Sequence, residues 1–456
     1  MKTICLRCLF LLLLTPLTTL AAAGTTVVMI SIDGLAADYL DDPRADLPTL
    51  RRMAQEGARA KRMQGVFPTV TWPNHTSMVT GVMPARHGVV SNRYYDRTAD
   101  RAVDLLWDPL LDKEDLVLAP TIYDVAHRAG LKTAGVAWPA SRNARHLDWQ
   151  VPCVIDPELL ARYSTPALLA ELSEQGIVLA KKAEWEKLEV GGKLLWDWMH
   201  TRVAQHILRK HQPNLLLLHF DAVDAAQHRH GRNSAEAYWA ANIADHYLAE
   251  LVETVRSAGL AARTTFFVVS DHGFRNYSRQ IHLNALLREA GFIKTAGNRI
   301  VEGRVQLIVS GGSAGLYVTG GSDRAAVVSD LLARLRQVEG VEKVLGPDEV
   351  AAQGLPAPGP SSRSPDIMIS AADGYSFSAR IPGEDVVTPA GSVKGVHGAL
   401  PAAPEMQALF IASGPAIKRG VTLQQIRNVD VAPTLAAVLG VAWPETDGRA
   451  ISEILR

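Results

Sequence analysis

The chain has 456 residues, 47% of them hydrophobic, with 47 basic and 47 acidic side chains and a formal net charge of zero. That length supports a large core in one large or two modest globular domains. The charge balance supplies no field favouring a polyanion such as duplex nucleic acid, so a charged substrate has to be held by local groups.

Lys2, Arg7, an apolar run from Leu9 to Leu14 and Ala21-Ala22-Ala23 before Gly24 form the pattern of a cleavable export signal over residues 1–23. The run is short for a membrane span, which needs ~20 apolar residues. Removing it takes away Cys5 and Cys8 and leaves Cys153, so no intramolecular disulfide can form in the exported chain. The expectation is a periplasmic or secreted protein, not membrane-spanning once the signal is gone.

From there, apolar runs of strand length alternate with helical periodicity. A strand over Val27–Ile32 ends in Asp33-Gly34, and a helix follows over Leu47–Glu56. Residues 67–81, FPTVTWPNHTSMVTG, place Thr71 immediately ahead of Trp72-Pro73-Asn74-His75, where a helix is about to start. A helix over Thr121–Ala129 precedes a strand over Lys132–Ala137, and residues 155–197 read as mostly helical. A strand over Asn214–Phe220 runs into Asp221, Asp224 and His228, with a helix at Ser234–Ser257. The strand Thr264–Ser270 runs into Asp271-His272-Gly273. Residues 295–390 mix short strand signals, Val305–Val309 and Gly315–Val318, with turns such as GLPAPGPSSRSP, and read as an inserted cap subdomain. A strand over Ala408–Ala412 and a helix over Val431–Leu439 close the pattern. The alternation predicts an α/β fold, a mostly parallel sheet sandwiched by helices, in which ligands sit beyond the carboxyl ends of the strands.

Three of those strand ends carry metal-capable residues. Asp224 and His228 are four apart, on one face of a helix, a spacing suited to one ion, although such a pair is also an N-cap with a solvated histidine. Asp271 and His272 cannot point the same way in a regular strand, so they belong to a turn where adjacent side chains can converge. Asp33 is a ligand or a helix cap, and His397, between glycines, is a ligand or a turn residue. Asp221 is a partner of a ligand or a loop cap, and His219 a core histidine. Taken together, Asp33, Asp224, His228, Asp271, His272 and His397 are enough N/O donors for two sites of three protein ligands with open positions, the composition of catalytic zinc centres. Thr71 then has a chemical role: coordination to a divalent cation lowers the pKa of its hydroxyl, and a helix N-terminus beside it favours an anion such as phosphate. The other reading is an N-cap threonine, and Thr69 and Thr76 are weaker nucleophile candidates.

The stretch FPTVTWPNHTSMVTGVMPARHGVVSN resembles the signature of the nucleotide pyrophosphatase/phosphodiesterase family of the alkaline phosphatase superfamily. The likeness continues in order through ISIDG, VDAAQH, SDHGF, GVHG and NVDVAPTLAAVLG, from Val27 to about Gly440. It implies an alkaline phosphatase-like catalytic domain over residues 24–456, with the inserted cap near 295–390. It also implies two zinc ions: Asp33, Asp271 and His272 would hold one together with Thr71, and Asp224, His228 and His397 the other. By the same resemblance Thr71 is the nucleophile, forming a covalent threonyl-phosphate ester. Asn92 is the donor to a non-bridging phosphate oxygen, and Trp72 is the substrate-binding aromatic beside the nucleophile. His75 and His87 are framing residues.

VAWPASRN at 136–143 is similar to the WPGS-type segment of the diesterases and carries no Lys-x-Arg pattern of the threonine monoesterases, which favours a diester or pyrophosphate substrate. Arg142 is the one cation there that could reach a terminal phosphate. The expected partner is a small phosphodiester, a nucleotide first, with a lysophospholipid headgroup and a monoesterase as the alternatives. Trp149 is a candidate for a second aromatic face. A metal-stabilised binding protein is the third reading, for which Thr71 would have no chemical use. A sulfatase is disfavoured because no C/S-x-P-x-R motif occurs.

Overall fold

A computed structural model describes residues 24–105, 111–154, 156–177, 187–188, 190–381 and 383–456. The expected export signal and part of the helical stretch 155–197 lie outside the described residues.

A nine-stranded sheet organises the chain, in the order Val421–Leu423, Ala58–Gln64, Ala408–Ser413, Thr264–Val269, Thr26–Ile32, Leu215–Phe220, Thr133–Val136 and Trp149–Val151, with Ile426–Arg427 also paired to Ala58–Gln64. The run from Thr264–Val269 to Trp149–Val151 is parallel throughout. Ala408–Ser413 is antiparallel to both neighbours, an orientation that its continuous apolar pattern does not encode. The central strands TVVMISI, LLLLHF and TTFFVV are buried at every position, which is why they read as unbroken apolar runs.

Side chains on the central strand alternate between two cores. Val28, Ile30 and Ile32 pack with the helices Pro48–Glu56, Val190–Lys210 and Ala235–Ser257. Val27 and Met29 pack with the helices Thr71–Thr80, Ile122–Arg128 and Val431–Leu439. The helix bounds follow local chemistry. Ser234 accepts from Ala237 N–H at the start of the long helix, and Thr121 and Asp124 form a capping box ahead of Ile122.

A third hydrophobic cluster lies within residues 281–377. There the antiparallel sheet Val305–Ser310, Ser313–Val318, Ile367–Ala371, Val341–Leu345 packs on the helix Arg324–Leu335. Its Ser310–Ser313 turn docks on the GVHG segment, with Gly312 N–H donating to His397 O at 2.7 Å. Among the described residues no helix is long and apolar enough to cross a membrane.

Candidate active site

Register brings the chemistry to one level. Ile32 pairs with Phe220 and Ser31 with Val269, so Asp33, Asp221 and Asp271 leave three adjacent parallel strands together at their carboxyl ends. Gly34, at φ +72°, turns the chain there and donates its N–H to Asp271 Oδ1 at 3.1 Å. Asp224 and His228 follow on the helix Ala222–His230, whose first N–H groups are capped from another helix: Asp197 accepts from Asp221 and Ala222 at 2.8 and 3.0 Å.

The six expected donors fall into two groups. His272 Nε2 lies 3.4 Å from Asp33 Oδ1 and 3.2 Å from Asp271 Oδ2. Asp224 Oδ1 lies 3.5 Å from His228 Nε2 and 3.7 Å from His397 Nε2, and the two imidazole nitrogens are 3.1 Å apart. In each group the three donor atoms lie within 4.8 Å of one another. The groups adjoin through His272 and His397, whose rings stack at 3.8 Å.

The orientation of each histidine is set from behind. His397 Nδ1 faces Thr69 O at 3.0 Å, His272 Nδ1 faces Gly273 O at 3.2 Å and His228 Nδ1 faces Gly395 O at 3.4 Å. A carbonyl only accepts, so each Nδ1 carries the proton and each Nε2 turns a lone pair inward. His219 Nε2 holds Asp33 Oδ2 at 3.0 Å, the orienting role of a core histidine.

These residues fit a divalent cation. Asp33 Oδ1, Asp224 Oδ1, Asp271 Oδ2 and His272 Nε2 are buried with no hydrogen-bond partner among the described residues, and they are the atoms that converge. Such atoms are costly to bury unpaired unless a further group satisfies them. Burial, with the Asp271 and Asp224 carboxylates beside it, pushes Asp33 well above the usual carboxylate range, and burial raises Asp224 to about 6. Burial also lowers His272 to about 3 and His397 well below its ordinary value.

Gly395 makes the second group possible. A Cβ there would meet Gln227 O at 2.3 Å, so only glycine lets the strand Val387–Val396 approach the helix bearing Asp224 and His228. Gly395→Ala is expected to weaken divalent-cation binding by these three donors by at least about tenfold, because displacing the elements that orient such donors costs that much in affinity. Zinc competition against a chromogenic chelator measures it, and unchanged affinity would remove Gly395 from this role.

Thr71 opens the helix Thr71–Thr80, with Val70 as the N-cap residue, so its hydroxyl caps nothing. Trp72 N–H donates to Asn92 Oδ1 at 2.8 Å, which leaves the Asn92 amide nitrogen as the outward donor. Asn74 shapes the approach: its Oδ1 accepts from Val66 N–H at 2.8 Å and its Nδ2 donates to Val70 O at 2.8 Å. The rest of this threonine-rich helix is buried, and it is satisfied by hydroxyls turned back on carbonyls, Thr76 to Trp72 O and Thr80 to Thr76 O, both at 2.7 Å. Thr69 is likewise engaged, donating to Ala399 O at 2.8 Å and accepting from Gly398 N–H at 3.1 Å.

His75 faces Thr71 O through Nδ1 and Ser31 Oγ through Nε2, both at 2.8 Å, and burial lowers it to about 3. His87 is also framing: Nδ1 accepts from Val89 N–H at 3.1 Å, Nε2 meets Ser77 Oγ at 2.9 Å, and burial lowers it to about 3. With its folded pKa below the unfolded ~6.5, the unfolded chain binds the extra proton first, so His87 takes away stability as pH falls from about 6.5 towards 3. His87→Gln is expected to make the acid slope shallower by about 1.4 kcal/mol per pH unit in that window. Urea unfolding at pH 4, 5 and 6 reads it, and parallel slopes in both proteins would contradict the assignment.

Thr71, Trp72, Asn92, Asp33, Asp224, His228 and His397 line one cavity of about 350 Å³. Trp72 is 8% exposed, packed on Phe67 and Val90 with one edge in the cavity. Arg142 does not reach it. Its Nε pairs with Asp112 at 3.0 Å, its guanidinium covers the Tyr163 ring, and it is not among the cavity-lining residues. Trp149 also lies elsewhere, stacked on His211. The second aromatic in the cavity is Trp196, with Lys193 Nζ 3.7 Å from its ring centroid and 3.3 Å from Asp221. These two reach the cavity from one turn of the helix Val190–Lys210, and the one signal for them in the local sequence is the i, i+3 spacing of a cation and an aromatic.

Residues 27–399 match the profile of the family described as type I phosphodiesterase/nucleotide pyrophosphatase. Over 273 residues the chain is 25% identical to ectonucleotide pyrophosphatase/phosphodiesterase family member 1 of Rattus norvegicus, covering 59% of this chain and 26% of that protein. It is 25% identical over 252 residues to the venom phosphodiesterase of Macrovipera lebetinus, covering 55% and 26%. The match thus spans about a quarter of the length of these relatives. Among solved structures, an inactive threonine-to-alanine variant of murine ectonucleotide pyrophosphatase/phosphodiesterase 5 in complex with AMP has a TM-score of 0.71 at 20% identity, over 95% of this chain and the whole of the other. The human counterpart gives 0.70 at 21% identity over 94% of this chain. These two likenesses show the same α/β fold. With its profile match covering most of its length, the chain belongs to the type I phosphodiesterase/nucleotide pyrophosphatase family.

Proposed function

We propose that this chain hydrolyses phosphodiester or pyrophosphate bonds of nucleotides, with zinc as cofactor and Thr71 as the covalent nucleophile. The observation that carries the reading is the set of unpartnered atoms beside Thr71: those of Asp33 and Asp224 belong to residues lining the cavity that Thr71 enters from a helix N-terminus, and those of Asp271 and His272 are grouped with Asp33. Asp33, Asp271 and His272, joined by Thr71, would hold one zinc ion, and Asp224, His228 and His397 the other. Cations held there would lower the pKa of the hydroxyl and offset charge on the transferring phosphoryl group.

The protein's own residues do the rest. Thr71 Oγ1 forms a bond to phosphorus as the bond to the leaving oxygen breaks, giving a threonyl-phosphate ester that water later cleaves. The Asn92 amide nitrogen, fixed by the Trp72 N–H, donates to a non-bridging oxygen as charge develops there. His75 takes no proton, because its Nε2 lone pair is already used by Ser31. Trp72 and Trp196 supply aromatic surface for a nucleobase, in line with the AMP bound by the murine neighbour. Residues Val309, Ser310 and Gly311 of the inserted lobe close one wall, which supports reading that lobe as a cap.

A diester is favoured over a monoester because Arg142 is committed to Asp112, and the cavity cations Arg93 and Lys193 each face a carboxylate, Asp104 and Asp221. The test is hydrolysis of p-nitrophenyl thymidine monophosphate beside p-nitrophenyl phosphate by the zinc-loaded protein. Diester turnover is expected to exceed monoester turnover at least about a hundredfold in kcat/KM, equivalent to about 3 kcal/mol of transition-state preference. Equal or inverted rates would replace this reading with a monoesterase.

A further inference from the structure

Away from the cavity, a second kind of donor cluster closes on one oxygen. Glu171 lies at the end of the helix Pro166–Glu174, His206 in the last turns of the helix Val190–Lys210, and His211 just beyond it. His206 Nε2 is 2.9 Å and His211 Nε2 2.6 Å from the same carboxylate atom, Glu171 Oε2. All three donors lie within 4.8 Å of one another, and none belongs to the groups around Asp33 or Asp224.

We propose that Glu171, His206 and His211 form a third divalent-cation site, of the zinc class, that pins the end of the Val190–Lys210 helix to its neighbour. The donor set, two imidazoles and one carboxylate, matches that of Asp224, His228 and His397, and it is the composition of three-ligand zinc sites with an open position. The surroundings are those of a supported site. Lys210 Nζ takes the other carboxylate oxygen, Oε1, at 3.1 Å and so turns Oε2 towards both imidazoles. Trp149 stacks on His211 at 4.4 Å, 25° from parallel, and fixes the ring plane. Partners of this kind orient ligands and tune their basicity.

The fit needs little movement. Zinc bonds near 2.0–2.1 Å place tetrahedral ligand atoms about 3.3 Å apart, so both rings retreat by roughly half an ångström as the two N–H···O contacts are replaced. His206, His211 and Glu171 keep only 13–18% of their side-chain surface exposed, so the ion would be largely enclosed yet reachable.

The test is metal content of the full chain after saturation with zinc and desalting, in wild type, Glu171→Gln and the double variant His206→Ala/His211→Ala. Each variant is expected to hold one zinc per chain fewer than wild type, with diester turnover within about threefold. Because the difference between chains is read, the number of ions at the Asp33 and Asp224 groups does not enter. Glu171→Gln is nearly isosteric, which covers the case in which the double variant fails to fold. Equal zinc content in wild type and Glu171→Gln would overturn the proposal and leave the cluster as an ion-paired helix clamp.

Discussion

Thr71→Ala is expected to lower diester turnover by at least about four orders of magnitude, the loss typical of deleting a covalent nucleophile, while the thermal midpoint stays within a few degrees of wild type. The asymmetry follows from where the side chain stands. Its hydroxyl caps no helix N–H, and the helix start is held instead by Asn92 on Trp72 N–H and by Asn74 on the preceding loop. Alanine is also a good helix former. The Asp33, Asp271 and His272 donors are untouched by the change, so metal content should change little. No neighbouring hydroxyl can stand in, because Thr69 and Thr76 are buried and bonded to Ala399 O and Trp72 O. Stopped-flow hydrolysis with mass spectrometry of the trapped protein checks both halves: wild type carries the nucleotidyl adduct, the thymidine monophosphate ester, on Thr71 and the variant carries none. Undiminished turnover in the variant would end the nucleophile assignment.

The parts of this site that could be read from the chain are those carried by short motifs at strand ends. Asp33, Asp224 and Asp271-His272 were legible because each follows a fully buried apolar run, and a parallel sheet gathers such positions on one edge. His397 was legible only through its motif, since the half-exposed strand Val387–Val396 has no alternation to announce it. The supporting contacts were not legible, because they join residues far apart in the chain: Asp197 capping the Ala222 helix, Gly395 against Gln227, and Ser31 on His75. Lys193 and Trp196 escaped for the same reason, and Trp149, the nearer aromatic in the sequence, turned out to pack on His211. The antiparallel setting of Ala408–Ser413 is likewise a matter of chain path, since a buried strand reads alike in both directions.

Chelation is the second large effect: the metal-free protein should lose diester turnover by more than about a thousandfold and fall furthest behind the metal-loaded protein in stability towards neutral pH. The direction comes from the carboxylates. Burial raises Asp224 to about 6, and burial with the adjoining Asp271 and Asp224 charges raises Asp33. A carboxylate whose folded pKa is raised costs nothing below its unfolded value near 3.9, where both states are protonated, and penalises the folded state increasingly as pH climbs through the folded value. For Asp224, which keeps a fifth of its side chain exposed, the penalty is at most about 3 kcal/mol above pH 6, and Asp33 adds to it. The metal-free chain should therefore lose the carboxylates' share of its stability between about pH 4 and 7, set against the gain that its buried histidines give over the same range. The loaded chain should not, because a bound cation favours the ionised carboxylates. Differential scanning calorimetry across that range, with and without zinc, separates the two curves. If they run parallel, the buried carboxylates are compensated by the protein itself and the case for a cation between them fails. If they diverge with pH as stated, and Asp224→Asn raises the metal-free curve towards neutral pH, the instability belongs to the atoms that converge beside Thr71.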